Sequence, residues 1–361
     1  MIKKNYPTSS KEWIKYLSID NYFTPKEIQY RKKIIIESNC NYDEVYTKII
    51  KYRTSKRKEL IKLEDKSFTF VETDLMKKNA DKIKNFWKST SYNFKENYKK
   101  ELIFDTLLSE AFYSSSIEGA YSTKKRTQEI IKKQLTPQDK SERMIFNNYK
   151  ALEYIYDNKE KKLDDEFVLL LHKMISEDTL DEKEDEGVYR NGGVDISTAT
   201  QKVIFRPTSN IEQMRKMINK LYLFTNSINN DDNEVEYIEP LYKIISFHFL
   251  YGYIHPHFDG NGRTLRVLFT HILGQNGFDI FHYMSLSEII HLSERRKKEY
   301  EKAFIDVEEN ELDLTYFIYY IQDVMIEALK VLDKRVFLYF RENVIFDKVE
   351  GKSINLTNRQ K

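Results

Sequence analysis

The chain has 361 residues, of which 40% are hydrophobic and 14% aromatic, so it is long and apolar enough to bury a substantial core. Its 10 glycines and 6 prolines are too few for an all-β sandwich, which needs turn residues at short intervals, and they favour a mainly helical protein. The 59 basic side chains nearly balance the 57 acidic ones, and no nucleic-acid-binding motif accompanies the basic N-terminal third.

Cysteine content and hydropathy exclude several further classes of protein. The single cysteine, Cys40, rules out an internal disulfide framework and a cysteine-based zinc site. No apolar run approaches the ~18 residues that a membrane span needs. The first 15 residues are charged and interrupted by polar side chains, unlike a signal peptide. We therefore expect a cytoplasmic protein without membrane contact.

The N-terminal part of the chain, residues 1–80, is expected to form a helical extension. The predicted helices there are Ser10–Leu17, Pro25–Ser38 and Asp43–Leu63. The next helix, Leu102–Ser116, is indicated more clearly because its apolar residues recur with the spacing of one helix face. These residues are Phe104, Leu107, Leu108, Ala111 and Phe112. Gly119 is expected to end that helix.

Four further helices and one small hairpin follow along the chain. The helices are predicted at Ser141–Asp157, Asp165–Ser176, Asn210–Thr225 and Glu239–Tyr253. Between them, Gly187–Pro207 combines a Gly192-Gly193 turn signal with the short β-branched runs Val194–Ile196 and Val203–Phe205. This pattern predicts a small β-hairpin flap within an otherwise all-α fold. His248, on an apolar helix face, is interpreted as a core histidine.

The most informative segment is His255–Arg266, with the sequence HPHFDGNGRTLR. Gly260 and Gly262 can adopt positive φ and turn backbone N–H groups towards one concavity at the start of the following helix. The helix dipole favours an anion at this position. Arg263 and Arg266 project from the same end, where two arginines are unfavourable unless an anion lies between them. The arrangement indicates a polyphosphate ligand.

Two more side chains complete the expected reaction site. Asp259 supplies an oxygen ligand for Mg²⁺, which takes one or two carboxylates in addition to substrate phosphates. His255 offers a neutral imidazole near pH 7, and Pro256 ends the preceding helix beside it. Together these groups indicate phosphoryl or nucleotidyl transfer. The alternative is a hydrolase with His255 and His257 as a metal pair, a class that needs a preceding strand and further ligands.

The same segment resembles the Fic-family signature H-P-F-x-D/E-G-N-G-R-x-x-R. One position departs from it, because His257 stands where the family has phenylalanine and Phe258 follows. Either side chain could fill the inward pocket that the phenylalanine occupies in the family. The departure removes no catalytic group, but it bears on the geometry of the loop.

The resemblance covers about residues 100–330 and implies a Fic helical core within residues 81–330. Its expected parts are an inhibitory helix at about 101–119, the flap at about 187–207 and the catalytic loop at 255–266. Residues 331–361 are expected to form a C-terminal helix and tail. The end of the chain, from Leu356, resembles the opening of a winged helix, as if the chain stopped before one.

The resemblance also implies a reaction. His255 would remove the proton from a Tyr, Thr or Ser hydroxyl of a target protein as that hydroxyl attacks the α-phosphorus of ATP. Asp259 would hold Mg²⁺ between the α- and β-phosphates. Asn261 and the N–H groups of the turn that includes Gly260 would stabilise the α-phosphate.

The remaining loop residues are expected to bind the rest of the nucleotide. By resemblance, Arg263 neutralises the pyrophosphate leaving group and Arg266 orients the γ-phosphate. Family members that phosphorylate have lysine in place of the second loop glycine, so Gly262 implies AMP transfer. The base pocket is expected around Tyr300 and the flap.

A second motif lies upstream of the loop. Residues Ser114 to Gly119 resemble the family's inhibitory signature [S/T]-x-x-x-E-[G/N], with Ser114, Glu118 and Gly119 at the specified positions. Glu118 could form a charge-assisted pair with Arg266 and so prevent productive binding of ATP. The alternative is that Glu118 is an ordinary surface carboxylate near a helix C terminus.

Several functional alternatives stay open at this point. The chain could be a non-catalytic regulator, could remove AMP, or could use a nucleotide donor other than ATP. The expected partners are a protein substrate docked at the flap and a second copy of the chain in a homodimer. Self-modification is a further expectation, since the chain has 26 tyrosines.

Overall fold

The computed structural model describes residues 6–89, 96–197, 203–228 and 237–350. It is 68% helical and has two small antiparallel hairpins, which confirms the predicted helical class. Among the described helices, none combines the length and the apolar character that crossing a membrane requires. The fold is therefore built by packing amphipathic helices on one another.

The N-terminal segment forms short helices around a small core of its own. They are α1 Ser10–Lys15, a π-helical turn Tyr16–Asp20, α2 Pro25–Tyr30, α3 Lys32–Glu37 and α4 Tyr42–Lys56. Ser9 and Thr24 form capping boxes at the starts of α1 and α2. Their buried apolar residues are Trp13, Leu17, Ile28, Ile35, Cys40, Val45 and Ile49. The single helix predicted over Pro25–Ser38 is interrupted at Arg31, where φ is −93° and ψ is 0°.

The prediction of helix up to Leu63 is wrong beyond Lys56. Arg57–Leu63 is strand β1, which pairs antiparallel with β2, Lys66–Val71. Phe68 and Phe70 alternate with polar residues and are buried, which is the period of a strand. A bulge between Glu59 and Ile61 places Leu60 and Ile61 inward together, and this obscured the alternation in the sequence.

The hairpin joins the main core instead of the small N-terminal one. Its buried residues pack with those of the helical domain. The Thr69 N–H donates to the Leu312 carbonyl at 3.2 Å, and the Leu314 N–H donates to the Thr69 carbonyl at 2.8 Å. Tyr22, which precedes the hairpin, donates from its hydroxyl to the Asp313 carboxylate at 2.7 Å and so contacts the same segment. The domain boundary near residue 80 stays a prediction.

The central part of the chain is a stack of helices. It comprises α5 Asp74–Ser89, α6 Glu96–Ile117, α7 Lys124–Lys133, α8 Lys140–Asp157 and α9 Asp165–Ser176. Helix α6 is held on two sides. The Ser115 hydroxyl donates to the Met144 carbonyl of α8 at 3.3 Å, and the Glu110 carboxylate accepts a 2.7 Å bond from the Ser285 hydroxyl. Gly119, with φ of 90°, follows the end of α6 as predicted.

The second hairpin corresponds to the predicted flap. Strand β3, Ile196–Ser197, pairs antiparallel with β4, Val203–Phe205. Residues 198–202, the connection between the two strands, lie outside the described residues. An exposed ion pair between Arg206 and Asp195, with 3.0 Å between nitrogen and oxygen, closes the base of the flap.

The C-terminal half supplies the helices around the site. They are α10 Ile211–Asn226, α11 Pro240–Ile254, α12 Asn261–Gln275, α13 Leu286–His291, α14 Glu294–Glu309 and α15 Thr315–Glu350. Helix α11 is buried on all faces, as expected for a helix at the centre of a domain. Because α11 and α12 are separated by only six residues, the rigid centre of the fold positions the loop between them.

Candidate active site

The loop between α11 and α12 begins with a forced change of backbone direction. His255 ends α11 in the left-handed region, with φ of 50° and ψ of 64°, and its N–H still donates to the Tyr251 carbonyl at 3.0 Å. Pro256 cannot continue the helix. Gly260, with φ of 78°, turns the chain into α12 at Asn261. Gly262 has no positive φ because it already lies within α12, so that part of the prediction is wrong.

The Asn261 side chain makes two hydrogen bonds to the backbone of the same loop. Its side-chain oxygen accepts the His257 N–H at 2.9 Å, and its amide nitrogen donates to the His257 carbonyl at 2.8 Å. Both polar atoms of the amide are thereby engaged with one residue four positions earlier. In this structure Asn261 holds the shape of the loop, and its contact with an α-phosphate stays a prediction.

His257 fills the inward pocket, and Phe258 is only partly buried. The His257 ring is fully buried and stacks on His172 with 3.6 Å between ring centroids. Its Nδ1 donates to the Val188 carbonyl at 2.7 Å, so its Nε2 accepts the Tyr251 hydroxyl at 2.9 Å. With both ring nitrogens bonded, His257 has none left to share a metal with His255, which argues against the H-x-H hydrolase.

His172 is a loop contact that the sequence did not reveal. Its Nδ1 accepts the Gly187 N–H at 3.0 Å, so Nε2 carries the proton and donates to the Asp259 carbonyl at 2.9 Å. Burial lowers the pKa of His172 to about 4, which keeps this donor and acceptor pattern at neutral pH. A lone histidine on a helix face carries no signal that would have indicated this role.

His255 presents a neutral imidazole to the site. Its Nδ1 lies 3.3 Å from the Gly252 carbonyl, which can only accept, so the proton sits on Nδ1 and Nε2 keeps its lone pair. Burial is the main cause that lowers the pKa of His255 to about 4, and the Arg190 charge acts in the same direction. Glu118 and Asp259 oppose the shift without cancelling it.

Arg263 and Arg266 are both buried, but they differ in their partners. The Arg263 Nη1 donates to the Ile175 carbonyl at 3.0 Å, and its Nε has no hydrogen-bond partner among the described residues. Burial lowers the pKa of Arg263. A buried guanidinium without a carboxylate partner is costly, and a bound anion would relieve that cost.

Arg266 is held by the upstream motif. Its Nε donates to the Ser114 hydroxyl at 2.8 Å, and its Nη2 donates to the Ser114 carbonyl at 2.9 Å and to Glu118 Oε1 at 2.8 Å. Although the Glu118 side chain is 33% exposed, its pairing with Arg266 means that it is not the free surface carboxylate of the alternative interpretation. Burial acts to raise the pKa of Glu118, but the Arg266 charge and hydrogen bond outweigh it and lower that pKa.

The position of Gly262 explains why the pair can form. A Cβ at residue 262 would overlap Glu118 Oε1 and would lie 3.2 Å from Arg266 Nη1. The carboxylate therefore occupies the space that any larger residue at this position would fill. Glycine at this position permits the close approach of the Glu118 side chain as observed, and it is not needed for a special backbone conformation.

These side chains surround a cavity of about 550 Å³, a size typical of ligand sites. Of the predicted site residues, those that line it are Glu118, Gly119, His255, Asn261, Gly262, Arg266 and Tyr300. The other predicted site residues, Ser114, Asp259, Gly260 and Arg263, are not among the residues that line it. Ile204 and Phe205 of the flap close one side, and Phe304 and Ile290 supply apolar surface on another.

Tyr300 lines this cavity, and its hydroxyl is hydrogen-bonded to a core residue. The hydroxyl lies 2.7 Å from His248 Nε2 in the core. Burial is the main cause that raises the pKa of Tyr300 to about 12, so the hydroxyl stays protonated. His248 is therefore a core histidine, as predicted; its Nε2 contacts a residue of the cavity, and its Nδ1 has no hydrogen-bond partner among the described residues.

Asp259 is the one carboxylate of the catalytic loop. It is exposed, and its Oδ1 accepts the Gly260 N–H of the same turn. No cluster of three or more metal-ligating residues occurs in the described part of the chain. One carboxylate beside a helix N terminus is compatible with the coordination of Mg²⁺, which takes one or two carboxylates and completes its shell with phosphates and waters.

Comparison with known proteins identifies the class of domain. Residues 162–273 match the model of the Fic/DOC family. A search of curated proteins finds no match. The chain therefore contains a Fic/DOC domain, and such domains are generally nucleotidyl transferases.

Solved structures agree with this assignment at the level of the fold. A Fic family protein from Desulfovibrio desulfuricans G20 is 20% identical, with a TM-score of 0.58 over 80% of this chain and 78% of that one. A Fic domain containing signaling protein from Bacteroides thetaiotaomicron is 22% identical, with a TM-score of 0.58 over 72% and 96%. Fic-1 (residues 134–508) from C. elegans is 12% identical, with a TM-score of 0.61 over 93% and 90%.

Proposed function

We propose that this protein is a protein adenylyltransferase that moves AMP from MgATP to a Tyr, Thr or Ser hydroxyl and that is inhibited by its own Glu118. The observation that carries the proposal is one cavity lined by a neutral His255 and by Arg266 at the N terminus of α12. A base and an anion-binding end in one pocket are the minimum that transfer to a hydroxyl needs.

His255 acts as the general base. Its Nε2 accepts the proton of the target hydroxyl while that oxygen forms a bond to the α-phosphorus. The bond from the α-phosphorus to the bridging oxygen breaks, and pyrophosphate leaves. A neutral imidazole is required for this step, and the lowered pKa of His255 keeps the ring neutral across the physiological range.

The phosphates bind at the start of α12. The first-turn N–H groups of the helix and the two buried guanidinium groups provide the positive potential. Arg263, which has no carboxylate partner in the described part of the chain, neutralises the leaving pyrophosphate, and Asn261 contacts the α-phosphate. Fic domains generally use a nucleoside triphosphate with a divalent metal, and Asp259 is the residue that would hold Mg²⁺. The metal would supply charge neutralisation on the phosphates.

Glu118 inhibits by occupying Arg266. The guanidinium that would orient the γ-phosphate is bonded to Glu118 and to two oxygens of Ser114. A γ-phosphate at this place competes with the carboxylate for the same nitrogen and meets its negative charge. ATP then binds in a form that places the α-phosphorus wrongly, because the terminal phosphate is not held.

The target protein docks at the flap. The two short strands of the flap lie at the cavity mouth, with Ile204 and Phe205 on its wall. An extended target segment placed there brings its hydroxyl towards His255. Docking of the target at the flap, self-association of the chain and a cytoplasmic location all stay predictions.

The proposal is tested with three proteins: wild type, Glu118→Gly and His255→Ala. Each is incubated with MgATP, and its intact mass is measured. We expect increments of one AMP per modified hydroxyl, more of them in Glu118→Gly and none in His255→Ala. Parallel incubations with GTP, CTP and UTP define the donor.

Other outcomes would redirect the assignment. Increments of one phosphate instead of AMP would mean that the γ-phosphorus is attacked. Absence of any increment while ATP binds, tested with AMP-modified protein as substrate, would favour an AMP-removing enzyme if that AMP is released. Failure of all variants to bind a nucleotide would refute the transferase and favour a non-catalytic regulator.

A further inference from the structure

Arg190 is a buried arginine that the proposed reaction does not use. It is only 1% exposed, and it lies between α9 and strand β3. Its guanidinium has no carboxylate partner among the residues that the structure describes. Burial lowers its pKa, as expected for a cation removed from water without a counter-ion. Keeping such a group requires compensation by other contacts.

The compensation comes entirely from backbone carbonyls, on two sides. On the side of the catalytic loop, Nε donates to the His255 carbonyl at 2.8 Å and Nη2 reaches the Ile254 carbonyl at 3.4 Å. The backbone N–H of Arg190 also donates to the Pro256 carbonyl at 2.9 Å. Three consecutive residues around the base are thereby tied to one arginine.

On the other side, the same guanidinium holds both ends of the flap. Nη1 donates to the Gly192 carbonyl at 2.7 Å, and Nη2 donates to the Thr208 carbonyl at 2.8 Å. Gly192 precedes β3 and Thr208 follows β4, so the two bonds fix the two chain segments from which the flap projects. A planar guanidinium can direct donors to all of these carbonyls at once, which an ammonium cannot.

We propose that Arg190 is a positioning residue that couples the flap to the general base, so that an acceptor held by the flap meets the His255 ring at a fixed distance. The effect of Arg190 on catalysis rests on the proposed function, whereas the coupling between flap and loop does not. His255 has a positive φ that costs energy in a residue with a side chain. The bond to its carbonyl holds that conformation and hence the direction of the imidazole.

The charge of Arg190 adds a second effect on the base. The charged groups that act on His255 are Arg190, which lowers the pKa of the ring, and Glu118 and Asp259, which raise it. Removal of the Arg190 charge therefore moves the pKa of His255 upwards, whereas a lysine at this position would keep it low. Charge and hydrogen-bond geometry can thus be separated by two substitutions.

The catalytic test compares Arg190→Lys and Arg190→Gln in the Glu118→Gly protein. Both are expected to lose about 10- to 100-fold in the turnover rate for AMP transfer, because a displacement of about 1 Å between base and acceptor has that effect. The dissociation constant for ATP should stay within about twofold, since Arg190 does not line the cavity. Arg295→Gln, an exposed arginine of α14 that belongs neither to the flap nor to the cavity lining, is the control and should keep the parent rate.

A histidine titration followed by NMR provides the readout that a merely structural role would not move. The pKa of His255 should rise in Arg190→Gln and stay near the parent value in Arg190→Lys. Equal loss of ATP affinity and of turnover in Arg190→Lys, or a parent-like rate in Arg190→Gln, would overturn the proposal.

Hydrogen exchange tests the coupling without any reference to catalysis. In both Arg190 variants, peptides from the loop around residues 254–256 and from the flap ends around 192 and 208 should exchange faster together. Faster exchange on one side alone would overturn the coupling. If the Glu118→Gly parent transfers no AMP, the proposed function fails, and the exchange experiment still decides the role of Arg190.

Discussion

Replacing His257 by phenylalanine restores the residue of the Fic signature, yet we expect it to destabilise this protein. The Tyr251 hydroxyl is fully buried, and its partner among the described residues is His257 Nε2. Phenylalanine cannot accept that bond. Leaving a buried hydroxyl unsatisfied costs about 1–3 kcal/mol. The Val188 carbonyl also loses a donor, but Val188 is 40% exposed and water can replace the ring N–H.

The expected loss of stability comes from the Tyr251 hydroxyl, which is left without a hydrogen-bond partner. His257→Phe should lower the free energy of unfolding by about 1–3 kcal/mol, whereas His257→Phe combined with Tyr251→Phe should lie within about 1 kcal/mol of wild type, because replacing both partners by apolar groups is nearly neutral. Stability is measured by urea denaturation followed by far-UV circular dichroism, and the slope of the transition is compared among variants to verify that only stability has changed.

A matched control, Tyr242, lies on α11, the helix that also carries Tyr251. The Tyr242 hydroxyl is buried and has no hydrogen-bond partner in the described part of the chain, so Tyr242→Phe should not destabilise. The reasoning would be refuted if His257→Phe were as stable as wild type. It would also be refuted if the double variant lost the sum of the two single losses, since the coupling between partners in contact would then be zero.

Three further predictions concern charge. Glu118→Gln removes the charge but keeps the shape, so AMP transfer should rise about 5- to 12-fold, from about 1–1.5 kcal/mol of weakened contact with Arg266, in a self-modification time course; an unchanged rate would contradict the inhibitory role. Asp259→Asn should leave the unfolding transition unchanged but lower transfer about 100-fold or more in a magnesium titration; a parent-like magnesium dependence would exclude Asp259 as the ligand. Burial lowers the pKa of His172 to about 4 and that of His248 to about 3. Below about pH 6.5 the unfolded chain therefore binds more protons than the folded one, and acid destabilises the fold. Each of the two residues should cost about 1.4 kcal/mol of stability per pH unit, from about pH 6.5 down to its folded pKa. Urea midpoints at pH 7.0, 5.5 and 4.5 test this, and a constant midpoint would contradict it.

Features with a local cause could be predicted from the sequence. Helix α9 has the predicted bounds, because Asp164 caps its start and its apolar residues follow one face. The loop from His255 to Arg266 has its chemistry within twelve consecutive residues, so the candidate site was visible without the fold. The pairing of Glu118 with Arg266 was also anticipated, and the structure contains that contact.

Features with distant partners could not be predicted in this way. His172 supports the loop through the Asp259 carbonyl, 87 residues away. The partners of Arg190 are backbone carbonyls of the loop. Every residue has a backbone carbonyl, so no sequence pattern indicates which ones an arginine will bind. The sequence of strand β1 predicts helix because its bulge places two apolar residues side by side, and its partner strand β2 is held by distant backbone bonds between Thr69 and residues 312 and 314.

The close approach of Gly262 and Glu118 constrains how this protein can evolve. A Cβ at position 262 would meet Glu118 Oε1, so a substitution there moves the end of that side chain and alters its contact with Arg266. If Glu118 inhibits as proposed, a change at position 262 therefore also changes regulation. Substitutions at positions 118 and 262 are thus expected to be coupled instead of independent.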